Sequence, residues 1–174
     1  MKNLAQHGKT AAWMTLGTLA AVAFIEMACT KDSAAATSTQ TKATVAAGPH
    51  VDGNHYIIDA APASDCAAGA NCAVTVKLGA QGEYHINQQY PYKFTATASP
   101  GVTYLGSDSN GPNVFTKTAG DFAIGDEKTA TMTVKFKASQ KGAIAVGGTF
   151  KLSVCSAQNC QLEQQDVSVN VTVK

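Results

Sequence analysis

The chain has 174 residues and a formal net charge of +1 at pH 7, and all of its 13 basic residues are lysine. Without guanidinium forks for bidentate phosphate or guanine contacts, and with lysines and carboxylates in balance once Lys2, Lys9 and Glu26 are set aside, the composition argues against nucleic acid as a partner. The remaining length suffices for one hydrophobic core and not two.

Lys2 and Lys9 followed by the apolar run from Ala11 to Ala28 and then Cys29 read as an export leader. The stretch Glu26-Met27-Ala28-Cys29 resembles the bacterial lipoprotein cleavage box, which implies a signal peptide over residues 1–28 and a diacylated Cys29. The expected location is the bacterial cell envelope, with the protein membrane-anchored through Cys29 and facing the periplasm or exterior. Ala34-Ala35-Ala36 offers a competing signal-peptidase site, and hence a secreted product; an uncleaved membrane anchor is a third reading. Residues 29–48 are rich in Ala, Ser and Thr without apolar periodicity, and read as a flexible tether.

Residues 49–174 alternate with period two. Val74, Val76 and Leu78 alternate with Thr75 and Lys77, Phe94 and Ala96 with Thr95, and Ala130, Met132, Val134 and Phe136 with Thr131, Thr133 and Lys135. Val167, Val169, Val171 and Val173 alternate with Ser168, Asn170 and Thr172. Turn signals stand at Pro100-Gly101, Asn110-Gly111-Pro112, Gly125-Asp126 and Gly147-Gly148. The pattern predicts an all-β domain, an immunoglobulin-like antiparallel β-sandwich of roughly seven to nine strands.

Outside a reducing compartment Cys66, Cys72, Cys155 and Cys160 read as disulfides before metal ligands, and four cysteines leave three connectivities open. Local pairs are geometrically easy: Cys66 and Cys72 flank a small, turn-forming stretch, and Ser156-Ala157-Gln158-Asn159 can close a hairpin that sets Cys155 opposite Cys160. With Phe150, Leu152 and Val154 on the buried face, alternation puts Cys155 on the opposite face and off the core.

Other groupings carry less chemistry. His50, Asp52 and His55 read as a solvated loop in place of a metal site, so no metal or other cofactor is expected. His85 reads as a turn histidine without an identifiable serine or cysteine partner, and Asp108-Ser109-Asn110-Gly111 as a plain turn. The sequon at Asn170-Val171-Thr172 lies inside a strand and is discounted behind a bacterial-type leader.

The run Phe150 to Cys160 and its following strand, with the segment Gly82-Glu83-Tyr84-His85-Ile86-Asn87, resembles parts of the amino-terminal periplasmic domain of the thiol:disulfide interchange protein DsbD and its short relatives. The resemblance implies a redox pair, Cys155 and Cys160, exchanging electrons with envelope proteins, with Cys160 forming the mixed disulfide and Cys155 resolving it. It also implies a shielding loop, which falls on residues 106–115. The alternative is a non-catalytic envelope lipoprotein, structural or protein-binding, whose two disulfides are staples only.

Overall fold

A computed structural model describes residues 48–174; the leader, the lipidation site Cys29 and the tether up to residue 47 lie outside the described residues. The described chain is all β. Its strands in chain order are β1 (His50–Asp52), β2 (Tyr56–Pro62), β3 (Asn71–Ala80), β4 (His85–Ile86), β5 (Lys93–Ala96), β6 (Val102–Tyr104), β7 (Val114–Thr116), β8 (Phe122–Ile124), β9 (Thr129–Ala138), β10 (Gly142–Cys155) and β11 (Cys160–Val173).

Two antiparallel sheets face each other. One runs β1-β2-β3-β9-β6 with β8 also on β9; the other runs β11-β10-β5-β7 with β4 also on β10. Taking β2, β3, β9 and β6 as strands A, B, E and D, and β11, β10 and β5 as G, F and C, the topology is that of an immunoglobulin-like sandwich, with β7 as an added edge strand. Eleven strands exceed the expected seven to nine because β1, β4, β6, β7 and β8 have only two or three residues, too short to show a period.

The long strands form where alternation was clearest. Val74, Val76 and Leu78 on β3 and Met132, Val134 and Phe136 on β9 are at most 2% exposed, and they face Phe94, Phe150 and Leu152 from the other sheet. Each such side chain contributes roughly 1.5–3 kcal/mol by burial. Between the two layers Tyr92 stacks on Phe122 with ring centroids 4.0 Å apart.

One turn signal misleads. Gly147 and Gly148 lie in the middle of β10, which pairs with β11 residue for residue from Gly142↔Val173 to Cys155↔Cys160. They are glycines because neighbouring strands come too close for side chains: a Cβ on Gly148 would stand 2.3 Å from the Thr95 carbonyl oxygen and 2.7 Å from Ala96 Cα. Pro100-Gly101 does make its turn, with Gly101 at φ +73°.

The sheet edge supplied by β11 changes character along its length. Its inward parity is valine from Val167 to Val173, but Gln161, Glu163 and Gln165 toward the hairpin tip. Over that distal half β10 still buries Phe150, Leu152 and Val154. Gln165 Nε2 donates to the Tyr56 hydroxyl at 2.7 Å, and so closes the apolar layer with a polar contact.

Candidate functional site

Both disulfides are local, Cys66–Cys72 with Cα atoms 5.3 Å apart and Cys155–Cys160 with Cα atoms 4.0 Å apart, which selects one of the three connectivities. Bridges of this kind persist outside the reducing cytosol, and the domain is that of an exported protein, extracellular or in the cell envelope. The two bridges differ in setting. Cys66 and Cys72 are 2% and 5% exposed and belong to the core. Cys66 lies beside Val173 and its carbonyl accepts from Lys174 N at 2.8 Å, so this bridge pins the final strand.

Cys155–Cys160 closes the β10–β11 hairpin at its tip, from opposed positions. By parity both sulfurs lie on the outer face of the sheet, as alternation required. Yet Cys155 is only 6% exposed while Cys160 is exposed, so lying off the core face did not leave Cys155 open. Its neighbours along the edge of β10 enclose it. β4 pairs with the end of β10, Ile86 opposite Val154 and His85 opposite Cys155, and residues 87–92 link β4 to β5 along the same edge.

That edge segment is held by specific bonds. Asn87 Nδ2 donates to Ser153 Oγ at 3.2 Å, Asn87 N to Ser153 O at 3.3 Å, and the Tyr92 hydroxyl to Ser153 O at 2.5 Å. Burial pushes the Tyr92 hydroxyl well above its usual titration range. Lys117 Nζ, just after β7, donates to the Gln88 carbonyl and ties this segment to that strand's end.

Residues 106–115 do not shield the disulfide. Asn113 Nδ2 donates to Ala96 O at 3.2 Å and Ala96 N to Asn113 O at 2.8 Å, which places that loop beside Ala96, opposite Gly148 and seven positions along β10 from Cys155. Within it Asp108 is a turn carboxylate. Its Oδ1 accepts from Asn110 N at 2.9 Å and its Oδ2 from Thr116 Oγ1 at 2.9 Å, bonds that hold its pKa below the ordinary value.

Cross-strand register therefore sets three groups in one row on the outer face: Cys160 on β11, Cys155 on β10 and His85 on β4. They line a cavity of about 550 Å³ with Asn87, Gln88, Gln89, Glu127 and Ser156. The sequence singled out both cysteines but gave His85 no cysteine partner; the structure supplies one in Cys155. Glu127 was missed, and only the Gly125-Asp126 turn before it hinted at its loop.

The rim around this row is braced. Tyr84 donates its hydroxyl to Asn159 Oδ1 in the hairpin loop at 2.9 Å and stacks on His55 at 4.0 Å. Lys128 Nζ donates to Gly82 O at 2.7 Å and Tyr84 O at 2.5 Å, and Ile86 N donates to Glu127 O at 2.7 Å. Inside the loop Ser156 Oγ accepts from Gln158 N and Asn159 N, each at 3.2 Å.

The remaining candidates do not assemble. His50 bonds Asp59 at 2.6 Å and Asp52 at 3.3 Å, which raise its pKa, while His55 is engaged with Tyr84; among the described residues no three acidic, histidine or cysteine side chains cluster as a metal site. Asn170 is exposed on β11.

No protein-family model matches the chain, and no curated protein does. Among solved structures the chain is similar to AggA, the major subunit of aggregative adherence fimbriae type I from Escherichia coli, at 8% identity, over 72% of this chain and 99% of that one, with a TM-score of 0.32. At that identity and TM-score the likeness carries no argument about function.

Proposed function

We propose that this is a thiol–disulfide exchange domain of the bacterial envelope, held at a membrane by a lipid on Cys29, with Cys155 and Cys160 as the redox pair. The observation that carries the reading is the asymmetry of the bridge: one cysteine exposed, its partner buried, and a histidine in register beside the buried one. A client thiolate attacks Cys160 Sγ, the Cys155–Cys160 bond breaks, and a client–Cys160 disulfide forms as Cys155 leaves as a thiolate. That thiolate takes its proton from water in the cavity that it shares with His85. A second client thiolate then attacks the client sulfur of the mixed disulfide, releasing Cys160 as a thiolate that takes its proton from water. Two electrons pass from the client dithiol, which ends as a disulfide, to the Cys155/Cys160 pair, which ends as two thiols; run backward, the same steps oxidise the domain.

The test is a trap. Cys155→Ala leaves Cys160 free with no resolving thiol, and acid-quenched envelope extracts on non-reducing gels should show a reductant-sensitive adduct that Cys66→Ala does not give. If no adduct forms and both native bridges resist millimolar dithiol under native conditions, the bridges are staples and the domain is a non-catalytic envelope protein. The anchor is tested separately by Cys29→Ser, which should move the protein from the membrane fraction to the soluble one; a variant that stays in the membrane, or a soluble wild type, refutes lipidation.

A further inference from the structure

The redox pair stands at the end of an open strand edge, and we infer that this edge, Leu162 to Asp166 on β11, docks an extended segment of a client polypeptide as an added β-strand. β11 ends its sheet, with β10 as its sheet neighbour. Ser168 N donates away from β10 to Gly48 O at 3.0 Å, and Lys174 N to Cys66 O at 2.8 Å. Backbone groups alternate sides along a strand, so the even-numbered residues of β11 aim their N–H and C=O groups outward. Beyond Ser168 toward the tip these are Asp166, Gln164 and Leu162, and none has a backbone partner there among the described residues.

Exposed edges are normally blunted by shortness, proline, lysine, a bulge or an inward charge. β1, β6 and β7 use shortness, at three residues each. β11 has 14 residues, pairs without a bulge and contains neither proline nor lysine. Its one such device is Glu163, on the inward parity, and that device selects the occupant. With Asp166 it gives the open stretch two carboxylates and no cation, so a strand bearing lysine or arginine is favoured over a purely apolar one. Leu162, 67% exposed and two residues from Cys160 on the same face, offers the apolar contact. The edge would thus present a basic, extended client beside the exposed sulfur, with main-chain bonds giving affinity and alternate side chains selectivity.

The inference rests on the exchange reading only for the client's thiol; strand addition itself is tested without sulfur chemistry. The probe is a short peptide alternating lysine and valine and ending in serine, added to the ¹⁵N-labelled full chain. Amide exchange at Leu162, Gln164 and Asp166 should slow by at least about ten-fold. Methylating the peptide nitrogens of one alternate set should abolish this, and methylating the other set should not. Gln164→Pro should also abolish it without loss of stability, because that N–H has no backbone partner among the described residues. No protection, protection elsewhere, or equal binding by both methylated peptides overturns the inference on unmodified protein, whatever Gln164→Pro does to folding. Replacing the terminal serine by cysteine and adding Cys155→Ala separates the two readings. A docked peptide that leaves Cys160 unmodified refutes exchange alone, whereas a peptide that reacts with Cys160 equally fast in both methylated forms refutes docking alone.

Discussion

Tyr92→Phe removes one hydroxyl from the segment that runs along β10 next to the Cys155–Cys160 bridge and leaves its ring in place. The ring is fully buried and stacked on Phe122, so no cavity opens and the change is confined to the 2.5 Å hydrogen bond to Ser153 O. Asn87 N also donates to that carbonyl at 3.3 Å, so the acceptor is not orphaned. The cost should then be that of one neutral hydrogen bond, about 1 kcal/mol, and not the larger penalty of an unsatisfied buried group. For a domain of this size the midpoint of thermal unfolding should fall by roughly 3–5 °C. A second readout has a definite sign. Burial raises the Tyr92 pKa above its unfolded value near 10, so the stability that the neutral phenol contributes is fully present below about pH 10 and is lost as pH rises from there toward the folded pKa. Removing the phenol should flatten the alkaline fall by up to about 1.4 kcal/mol per pH unit. Tyr56 and Tyr104, also raised chiefly by burial, account for the slope that remains. If the lost bond also loosens residues 87–92, reduction of Cys155–Cys160 by dithiol should accelerate about five-fold, the equivalent of about 1 kcal/mol in local opening. Denaturation at pH 7 and across pH 9–12 measures both stability effects. An unchanged midpoint together with an unchanged alkaline slope would refute the placement of this hydroxyl against Ser153.

Three further outcomes follow from packing and charge. Phe136→Ala, Leu152→Ala and Val169→Ala, all on the buried parity, should each cost roughly 2–4 kcal/mol by denaturant midpoint, with Lys137→Ala and Thr172→Ala near neutral; equal costs on both parities would mean the register is wrong. Gly148→Ala forces a methyl onto the Thr95 carbonyl and should destabilise by about 1–3 kcal/mol, while a neutral result would show that β5 and β10 are farther apart. His50 should titrate above an ordinary histidine because of Asp59 first and Asp52 second, and Asp59→Asn should bring it down, as followed by NMR; no difference between the two proteins would remove the Asp59 contact.

What was legible in the sequence was whatever a strand states about itself. Val74, Val76 and Leu78 alternate because one face of β3 is in the core, and the parity of Phe150, Leu152 and Val154 correctly put Cys155 on the other face. What was illegible depended on a second strand. Parity says which way a side chain points and nothing about what lies beside it, so the enclosure of Cys155 by His85 to Gln89 and Glu127 left no mark around Cys155 itself. β4 has two residues, too few for a period, and its pairing of His85 with Cys155 is a tertiary fact. Gly147-Gly148 reads as a turn because glycine serves turns and close approaches alike, and only the position of β5 distinguishes them. The resemblance that placed a shield on residues 106–115 supplied a role without the strand order needed to locate it.

The open edge lies between these cases. Along the last strand the inward parity turns from valine at Val173, Val171, Val169 and Val167 to Gln165, Glu163 and Gln161, a change visible in the sequence without any structure. A strand that keeps its period but changes its inward residues from apolar to polar has reached the rim of the apolar core, where Gln165 meets the Tyr56 hydroxyl of the opposite sheet. Here that transition coincides with the last outward backbone bond on this side, at Ser168, and from Leu162 to Asp166 β10 is the backbone partner of β11 among the described residues. The same stretch leads to the exposed Cys160, while Val154 opposite Gln161 stays fully buried. The inferred client strand would bring its own backbone to Cys160, whereas a staple alone predicts no binding at this edge.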